Sequence, residues 1–338
     1  MTNTRKPLIL NAFEMGTSGH QAPGLWKHPN DRSTKKDLKY WTQLAQTLER
    51  GKFNSVFLAD VLGGYDVYNG PRNLTAALTS GAQFPVYEPS LYVPVMAAAT
   101  KNLAFAVTFS TLSESPYHLA RRLATLDHLT DGRVGWNIVL SYLDSASRNT
   151  LNGQPLPEHD ERYKRAEEYL QVIYQLFLSS WADDALELDR KKEIFTDPSK
   201  VREINYEGKY FTVPGPSIVD PTPQRLPVIL QAGASSAGKD YAARNAEAVF
   251  LSDFTPELLA KKIQEIKTLA KERYQREEGS IKFLQLLTVI VGQTHEEAEE
   301  KYRYHRSFGD LEGALALVRG WTGIDIGKYG HDEELQYV

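Results

Sequence analysis

The sequence contains no cysteine, which excludes disulfide bonds, thiolate metal ligands and thiol nucleophiles across its 338 residues. This absence fits an intracellular protein, and we expect a cytoplasmic location. No stretch approaches the ~20 consecutive apolar residues of a membrane-spanning helix. The N-terminal residues hold only a short apolar run, unlike the core of a secretory signal. We therefore expect no membrane span and no leader.

The chain also lacks an excess of basic residues, internal repeats and a G-x-G-x-x-G dinucleotide fingerprint. Its net charge is −4, so a nucleic-acid partner is not expected. The hydrophobic share of 41% and the charged share of 24% are typical of a globular protein with a large core. The length allows two average domains or one α/β barrel.

The central stretch Leu103–Ser141 predicts a strand–helix–strand unit. An apolar run over Ala104–Phe109 is followed by Pro116, which suits a first helical turn, and by leucines at helical spacing. Asp131-Gly132 marks a turn, and a second apolar run follows it. The loops that connect the helix to the two strands are short, which predicts that the strands are parallel. Polar residues collect at the carboxyl ends of both strands, where parallel α/β folds keep their chemistry: Thr108, Ser110, Asn137 and Ser141.

Strand and helix patterns alternate along the rest of the chain, which favours one sheet over two domains. We expect a single domain over residues 1–338, with an insertion at about 182–224 that covers the pocket as a lid. Seven strands are predicted, and 320–338 is too polar for an eighth. The further strands are expected at Pro7–Phe13, Phe53–Ala59, Leu226–Gln231, Ala248–Leu251 and Ile281–Val291. The further helices are expected at Lys36–Arg50, Val93–Thr100, Arg162–Ser179, Gly238–Ala246, Pro256–Arg276 and Asp310–Val318. One more helix is expected to begin at His295.

Several residues could bind a ligand or serve the fold. Ala232–Ser236 joins a strand to a helix, so Ser235 and Ser236 could bind a phosphate, or Ser235 could simply cap the helix. Asp60 ends an apolar strand and could accept a ligand hydrogen bond or form a loop ion pair. His159 and Tyr163 share one helix face, beside acids that could suggest a metal or merely a solvated first turn.

The run SPYHLARRLATLDHLTDGRVGWNIVLS resembles the signature of the bacterial-luciferase-like flavin monooxygenases. The branch in question holds nitrilotriacetate monooxygenase component A and dibenzothiophene sulfone monooxygenase. The resemblance extends from about Pro7 to about Tyr329. It implies a TIM-type (β/α)8 barrel with insertions, here lacking the C-terminal strand–helix segment.

The resemblance also implies a two-component monooxygenase, in which a separate reductase supplies reduced FMN. With O2, this enzyme would oxidise a small organic nitrogen- or sulfur-containing substrate, and a homodimer is expected. The residues that the resemblance assigns to flavin are Asp60, Thr108, Ser110, His159, Tyr163, Ser235 and Ser236. Asn137 and His20 become catalytic candidates, and no metal is implied. A deazaflavin-dependent oxidoreductase and a shortened, non-catalytic flavin-binding relative are the alternatives.

Overall fold

The computed structural model describes residues 8–31, 35–233, 235–253 and 255–323. Its core is one seven-stranded parallel sheet in the order β1-β2-β3-β4-β9-β10-β11. Neighbours in space follow chain order, as in the wall of a TIM-type barrel, so the expected fold class is confirmed. The strands are β1 (Asn11–Met15), β2 (Ser55–Ala59), β3 (Ala104–Ser110), β4 (Val134–Val139), β9 (Val228–Gln231), β10 (Ala248–Leu251) and β11 (Lys282–Gln285).

Helices follow the strands and cover the outside of the sheet. They are α1 (Leu38–Arg50), α2 (Thr75–Ser80), α3 (Tyr92–Ala98), α4 (Pro116–Thr130), α5 (Asp144–Thr150), α6 (His159–Leu178), α7 (Ser236–Asn245), α8 (Pro256–Glu272), α9 (His295–Arg306) and α10 (Leu311–Thr322). Side-chain N-caps fix many of their starts. At α9, the Thr294 hydroxyl caps the helix by accepting from the Glu297 N–H group, while the Glu297 carboxylate accepts from the Gln293 N–H group rather than from the cap residue.

The two faces of the sheet have different partners. Outward side chains such as Phe105, Trp136 and Ile138 are fully buried against the helices. On the inner face, the rings of Phe13, Phe57 and Phe250 stack with centroids 5.2–5.4 Å apart. Because β1 and β10 lie near opposite ends of the strand order, this stacking shows that the sheet curls into a barrel wall.

The strands at the two sheet edges are shorter than expected. The first strand begins at Asn11 rather than Pro7, and the last ends at Gln285 rather than Val291. No strand among the described residues pairs with the outer edge of β1 or β11, and a strand without a ladder partner loses its hydrogen bonds. Leu287 and Val291 are accordingly 76% and 74% exposed. The expected polar tail is helical up to Thr322, and residues 324–338 lie outside the described residues.

The segment 182–224 does not form the expected lid. It contains two small hairpins, β5 (Leu186–Asp189) with β6 (Ile194–Thr196) and β7 (Tyr206–Glu207) with β8 (Thr212–Val213). The Glu168 carboxylate on α6 accepts from the backbone N–H groups of 209–211 at 2.8–3.0 Å. Gln224 bonds Asp127 on α4. The segment therefore packs on the outer helix layer.

Two further observations complete the architecture. The region 142–160 contains α5, for which no helix was predicted because its polar sequence DSASRNT gives no amphipathic signal. No helix within the described ranges is long and apolar enough to span a membrane.

Candidate active site

A cavity of about 320 Å³ opens at the carboxyl ends of β2, β3 and β4. The inward positions of β3 change there from Ala106 to Thr108 and Ser110, so the apolar interior gives way to hydroxyls. The lining residues are Asp60, Val61, Leu62, Glu88, Thr108, Phe109, Ser110, Ser113, Glu114, Arg122, Val139, Ser141, Tyr142, Leu143, Ala146 and Thr150. Three expected site residues, Asp60, Thr108 and Ser110, therefore share one cavity.

Asn137 lies beside this cavity and is bonded to its wall. Thr108 and Asn137 are direct neighbours in the β3–β4 ladder, and the Asn137 amide donates to the Thr108 hydroxyl at 2.9 Å. The residue is only 3% exposed, yet its Oδ1 atom has no hydrogen-bond partner. A buried amide oxygen without a donor is costly, and a ligand N–H or O–H group would satisfy it.

Ser141 forms a strained corner of the cavity wall. Its φ of 56° lies in the left-handed region, which is uncommon for a residue with a side chain. The Ser141 and Ser110 hydroxyls bond at 2.7 Å, and the Arg162 guanidinium donates to the Ser141 carbonyl. These two contacts hold the corner, and backbone strain of this kind clusters at functional sites.

Asp60 brings a protonatable carboxyl to the cavity. Burial raises its pKa from 3.8 to about 7, against the lowering effect of the hydrogen bond from the Val61 N–H group at 2.8 Å. The nearby Glu88 carboxylate raises the pKa of Asp60 further. At neutral pH the Asp60 carboxyl can therefore both donate and accept a hydrogen bond.

The rest of the cavity combines apolar walls with acidic residues. Glu114 binds Arg122 at 2.9 Å, so the one cation among the lining residues is already paired. Both oxygens of Glu88 accept hydrogen bonds from Ser90. Apart from these residues and Asp60, the lining is apolar or hydroxylic, so the cavity carries more negative than positive charge.

A second cluster lies at the start of α7. The Ser235 hydroxyl accepts from the Gly238 N–H group at 3.0 Å, so Ser235 is an N-cap, as the structural alternative predicted. Its hydroxyl hydrogen stays available, and both Ser235 and Ser236 are exposed. The N-terminus of this helix directs N–H groups and a positive dipole end outward, as phosphate binding requires.

The loop before α7 is held by close contacts. A Cβ at Gly238 would lie 2.9 Å from the Tyr163 hydroxyl oxygen and 3.0 Å from the Gly233 backbone, so glycine is required there. A Cβ at Gly233 would collide with the Gln231 amide. Gln231 is 2% exposed, and its Oε1 atom lacks a partner. Tyr163 on α6 thus touches the Ser235 loop.

His159 and Tyr163 lie on one face of α6 as expected, with ring centroids 5.0 Å apart. His159 is exposed, and its Nδ1 atom lies 2.8 Å from an Asp160 oxygen. Within the described ranges, no group of three or more histidine, aspartate or glutamate side chains is placed to hold a metal ion. The next turn of α6 links both clusters, since Arg162 contacts Ser141 in the cavity and Tyr163 contacts the loop of α7.

His20 lies in the loop that follows β1, against the ring stack on the inner face of the sheet. Its ring packs 4.8 Å from that of Phe13, and its Nε2 atom is buried without a partner. Burial lowers the pKa of His20 from 6.5 to about 4, so the ring is neutral at physiological pH. His20 does not line the described cavity.

The fold and the site define an enzyme of the parallel-barrel class with its chemistry at the carboxyl edge of the sheet. The family model for luciferase-like monooxygenases matches residues 24–336. The chain belongs to this family, which confirms the expected membership and the class of oxygen-incorporating oxidoreductases.

Individual relatives support the same conclusion. The long-chain alkane monooxygenase of Geobacillus thermodenitrificans is 50% identical over 97% of this chain and 74% of its own. The crystal structure of a long-chain alkane monooxygenase aligns with a TM-score of 0.94 at 49% identity, covering 99% of this chain and 76% of that one. The dimethyl-sulfide monooxygenase of Hyphomicrobium sulfonivorans is 49% identical over 98% of this chain and 68% of its own. A riboflavin lyase crystallised with modified FMN and riboflavin is 34% identical, with a TM-score of 0.89, over 96% of this chain and 72% of that one.

Sequence reasoning placed Ser141 at the carboxyl end of a strand, but it missed Arg162 and Gln231 as parts of the site. The sequence HDERY did carry a signal for Arg162, because it lies three residues after His159 on the same helix face. Nothing local marks Gln231 or the left-handed conformation of Ser141, since both depend on contacts with distant segments.

Proposed function

We propose that this protein is the oxygenase component of a two-component system, which uses reduced FMN from a separate reductase and O2 to oxidise a small, uncharged, nitrogen- or sulfur-containing organic substrate. When bound, reduced FMN supplies the two electrons with which one oxygen atom enters the substrate and the other leaves as water. The observation that carries the proposal is the cavity beside Asn137 and Thr108, connected through α6 to the helix start at Ser235.

The side chains present fit this cofactor. Asn137 and Gln231 offer unpaired, buried oxygens to N–H and O–H donors, and Asp60 can donate or accept. The Ser235 loop offers hydroxyls and helix N–H groups to a phosphate, and Gly238 leaves room for Tyr163 beside it. We assign Asp60, Thr108, Ser110, His159, Tyr163, Ser235 and Ser236 to cofactor binding, and Asn137 and His20 to the reacting centre.

The charge of the cavity supports an uncharged substrate. Three carboxyl groups line it, and its one lining cation, Arg122, is paired with Glu114. A substrate carboxylate among the lining residues would lose its hydration and find no unpaired cation there, whereas an apolar molecule would replace water against Leu62, Phe109 and Leu143. The protein's part is then to orient the reactants and to exclude water from them. A homodimer in the cytoplasm is part of this proposal.

A matched pair of sulfides tests the function. The purified chain is mixed anaerobically with photoreduced FMN, so that no reductase is needed, and then exposed to O2 with diethyl sulfide or thiodiglycolate. We expect consumption of diethyl sulfide with uptake of ¹⁸O from ¹⁸O2, and no consumption of the dicarboxylate. The Thr108→Val variant, which keeps the shape but loses the hydroxyl bonded to Asn137, should bind reduced FMN less tightly.

The possible failures are distinct. If reduced FMN does not bind, the proposed function is wrong. If it binds but thiodiglycolate is oxidised as readily as diethyl sulfide, only the substrate class is wrong.

A further inference from the structure

Arg162 is a half-buried cation at the edge of the cavity. Its guanidinium donates to the Ser141 carbonyl, and Ser141 lines the cavity together with Asp60, Thr108 and Ser110. The Nε atom of Arg162 is buried and has no hydrogen-bond partner. One neutral carbonyl is therefore its main partner inside the protein.

Other arginines near the cavity have compensating partners. Arg122 binds Glu114 at 2.9 Å, and Arg148 binds both Asp66 and Asp144. Arg165, one turn after Arg162 on α6, also has a buried Nε atom without a partner, but its guanidinium lies 4.5 Å from the ring centroid of Phe211. Arg162 forms no ion pair within 4 Å with any described residue, and the Glu158 carboxylate acts on it only from a longer distance. Because a half-buried charge without a close counter-charge is costly, its retention beside a cavity points to an anionic ligand.

We propose that Arg162 binds the negative charge of the reduced flavin ring, so that the site takes reduced FMN in preference to oxidised FMN. The inference rests on the proposed function and deepens it. A reduced flavin ring carries a negative charge when it loses a proton near neutral pH, whereas the oxidised ring is neutral. A fixed guanidinium at the cavity would therefore distinguish the two forms by charge.

The position of Arg162 favours the ring over the phosphate as its partner. Arg162 contacts Ser141, in the wall formed by the ends of β3 and β4. The phosphate candidates Ser235 and Ser236 lie at the start of α7, where the neighbouring Tyr163 makes the contact instead. Adjacent residues of α6 thus serve the two ends of the cofactor.

Two substitutions separate the effect of the Arg162 charge from that of its hydrogen bond to the Ser141 carbonyl. Arg162→Lys and Arg162→Gln can both donate to the Ser141 carbonyl, but only the lysine keeps the charge. Dissociation constants are measured anaerobically for reduced FMN, oxidised FMN and reduced riboflavin, which lacks the phosphate. Arg165→Gln, in the same helix but against Phe211, is the control.

We expect Arg162→Gln to weaken the binding of reduced FMN and reduced riboflavin by about tenfold or more, because a charge-assisted contact is lost. Oxidised FMN should change little, while Arg162→Lys and Arg165→Gln should stay near the wild type. A tenfold selective loss lowers the midpoint potential of the bound two-electron couple by about 30 mV, which gives a second readout.

Three outcomes would overturn the inference while leaving the function intact. In the first, Arg162→Gln weakens FMN in both redox states but not riboflavin, which assigns Arg162 to the phosphate. In the second, the lysine and glutamine variants lose affinity equally, so that Arg162 only holds Ser141. In the third, the wild-type protein binds oxidised and reduced FMN equally, a result that needs no variant. Failure of the wild type to bind reduced FMN would instead contradict the proposed function.

Discussion

Two partly buried arginines at opposite ends of the barrel have very different surroundings. At the amino-terminal end of the sheet, Arg133 donates to the carbonyls of Thr130, Leu103 and Ala97 at 2.7, 2.9 and 3.2 Å and to the Thr100 hydroxyl at 3.2 Å. At the carboxyl end, Arg162 has one backbone acceptor and an unpaired Nε atom. The same side chain is therefore structural at one end and available to a ligand at the other.

Other polar groups follow the same division. At the amino-terminal end, the Glu49 carboxylate accepts from the N–H groups of 101–103, and the Gln224 amide bonds Asp127 and the Val134 carbonyl. At the carboxyl end, buried atoms of Asn137, Gln231 and His20 lack partners. A barrel can leave polar groups unsatisfied where a ligand completes them, and these three residues at the carboxyl end have such atoms.

The largest effect on stability should come from Arg133. Arg133→Gln leaves several carbonyls without donors and should lower the free energy of unfolding by about 3 kcal/mol. Arg162→Gln should change it by less than about 1 kcal/mol, because the removed cation was poorly compensated. Urea unfolding of both variants measures the difference. Equal losses would contradict the division between a structural and a functional end.

The next effect concerns Ser235, at the functional end. Ser235→Asp keeps a good helix cap but places a negative charge at the proposed phosphate site. FMN binding should weaken by at least about tenfold, with little change in the melting temperature. Fluorescence titration measures the affinity, and Ser235→Asn is the uncharged cap that serves as control. Unchanged FMN affinity in the aspartate variant would remove Ser235 from the phosphate site.

Asp60 gives a pH-dependent effect on stability that is smaller than that of Arg133. Its pKa is about 7 in the fold against an ordinary 3.8, so the wild-type protein loses stability as pH rises from about 4 to about 7, and the loss persists above 7. Asp60→Asn cannot ionise, and it should unfold at nearly the wild-type free energy at pH 4. At pH 8 the variant should be more stable by about 2 kcal/mol.

Thermal unfolding across this pH range tests the sign of the stability change predicted for Asp60→Asn. The exposed Asp131→Asn, at a left-handed position that suits asparagine, is the control and should show no such trend. A variant advantage at pH 4 that vanishes at pH 8 would reverse the argument.

The smallest effect is expected in the segment 182–224. Because it packs on the outside of α4 and α6, hydrogen exchange over 206–213 should not change when FMN binds. Exchange at 137–145 and at the start of α7 should slow in the same experiment. Protection of 206–213 would restore the lid that the sequence suggested.

The fold was largely readable from the sequence because most strands and the longer helices carry their own periodicity. Pro116 and Thr294 marked helix starts that the structure confirms. The grouping of Thr108, Ser110 and Asn137 followed from their positions at strand ends. The ends of the edge strands could not be predicted from the sequence, since the length of β11 depends on a neighbouring strand and not on its own residues.

The rest of the site could not be read for a related reason. The strain at Ser141, the unpaired Nε atom of Arg162 and the raised pKa of Asp60 all depend on the tertiary surroundings of these residues. The position of 182–224 likewise depends on Glu168 and Asp127 in other helices. Local sequence patterns predict which residues lie at strand ends and helix caps. They do not predict how deeply a side chain is buried or which distant groups it contacts.

The ring stack inside the barrel also constrains how the chain folds during synthesis. Phe13 and Phe57 leave the ribosome early, but Phe250, which lies 5.3–5.4 Å from both, is made near the end of the described chain. Until then, two aromatic rings on the inner face of the nascent sheet lack their third partner and stay open to water or to chaperones. Because such long-range contacts form slowly, closure of the barrel is a late event in folding.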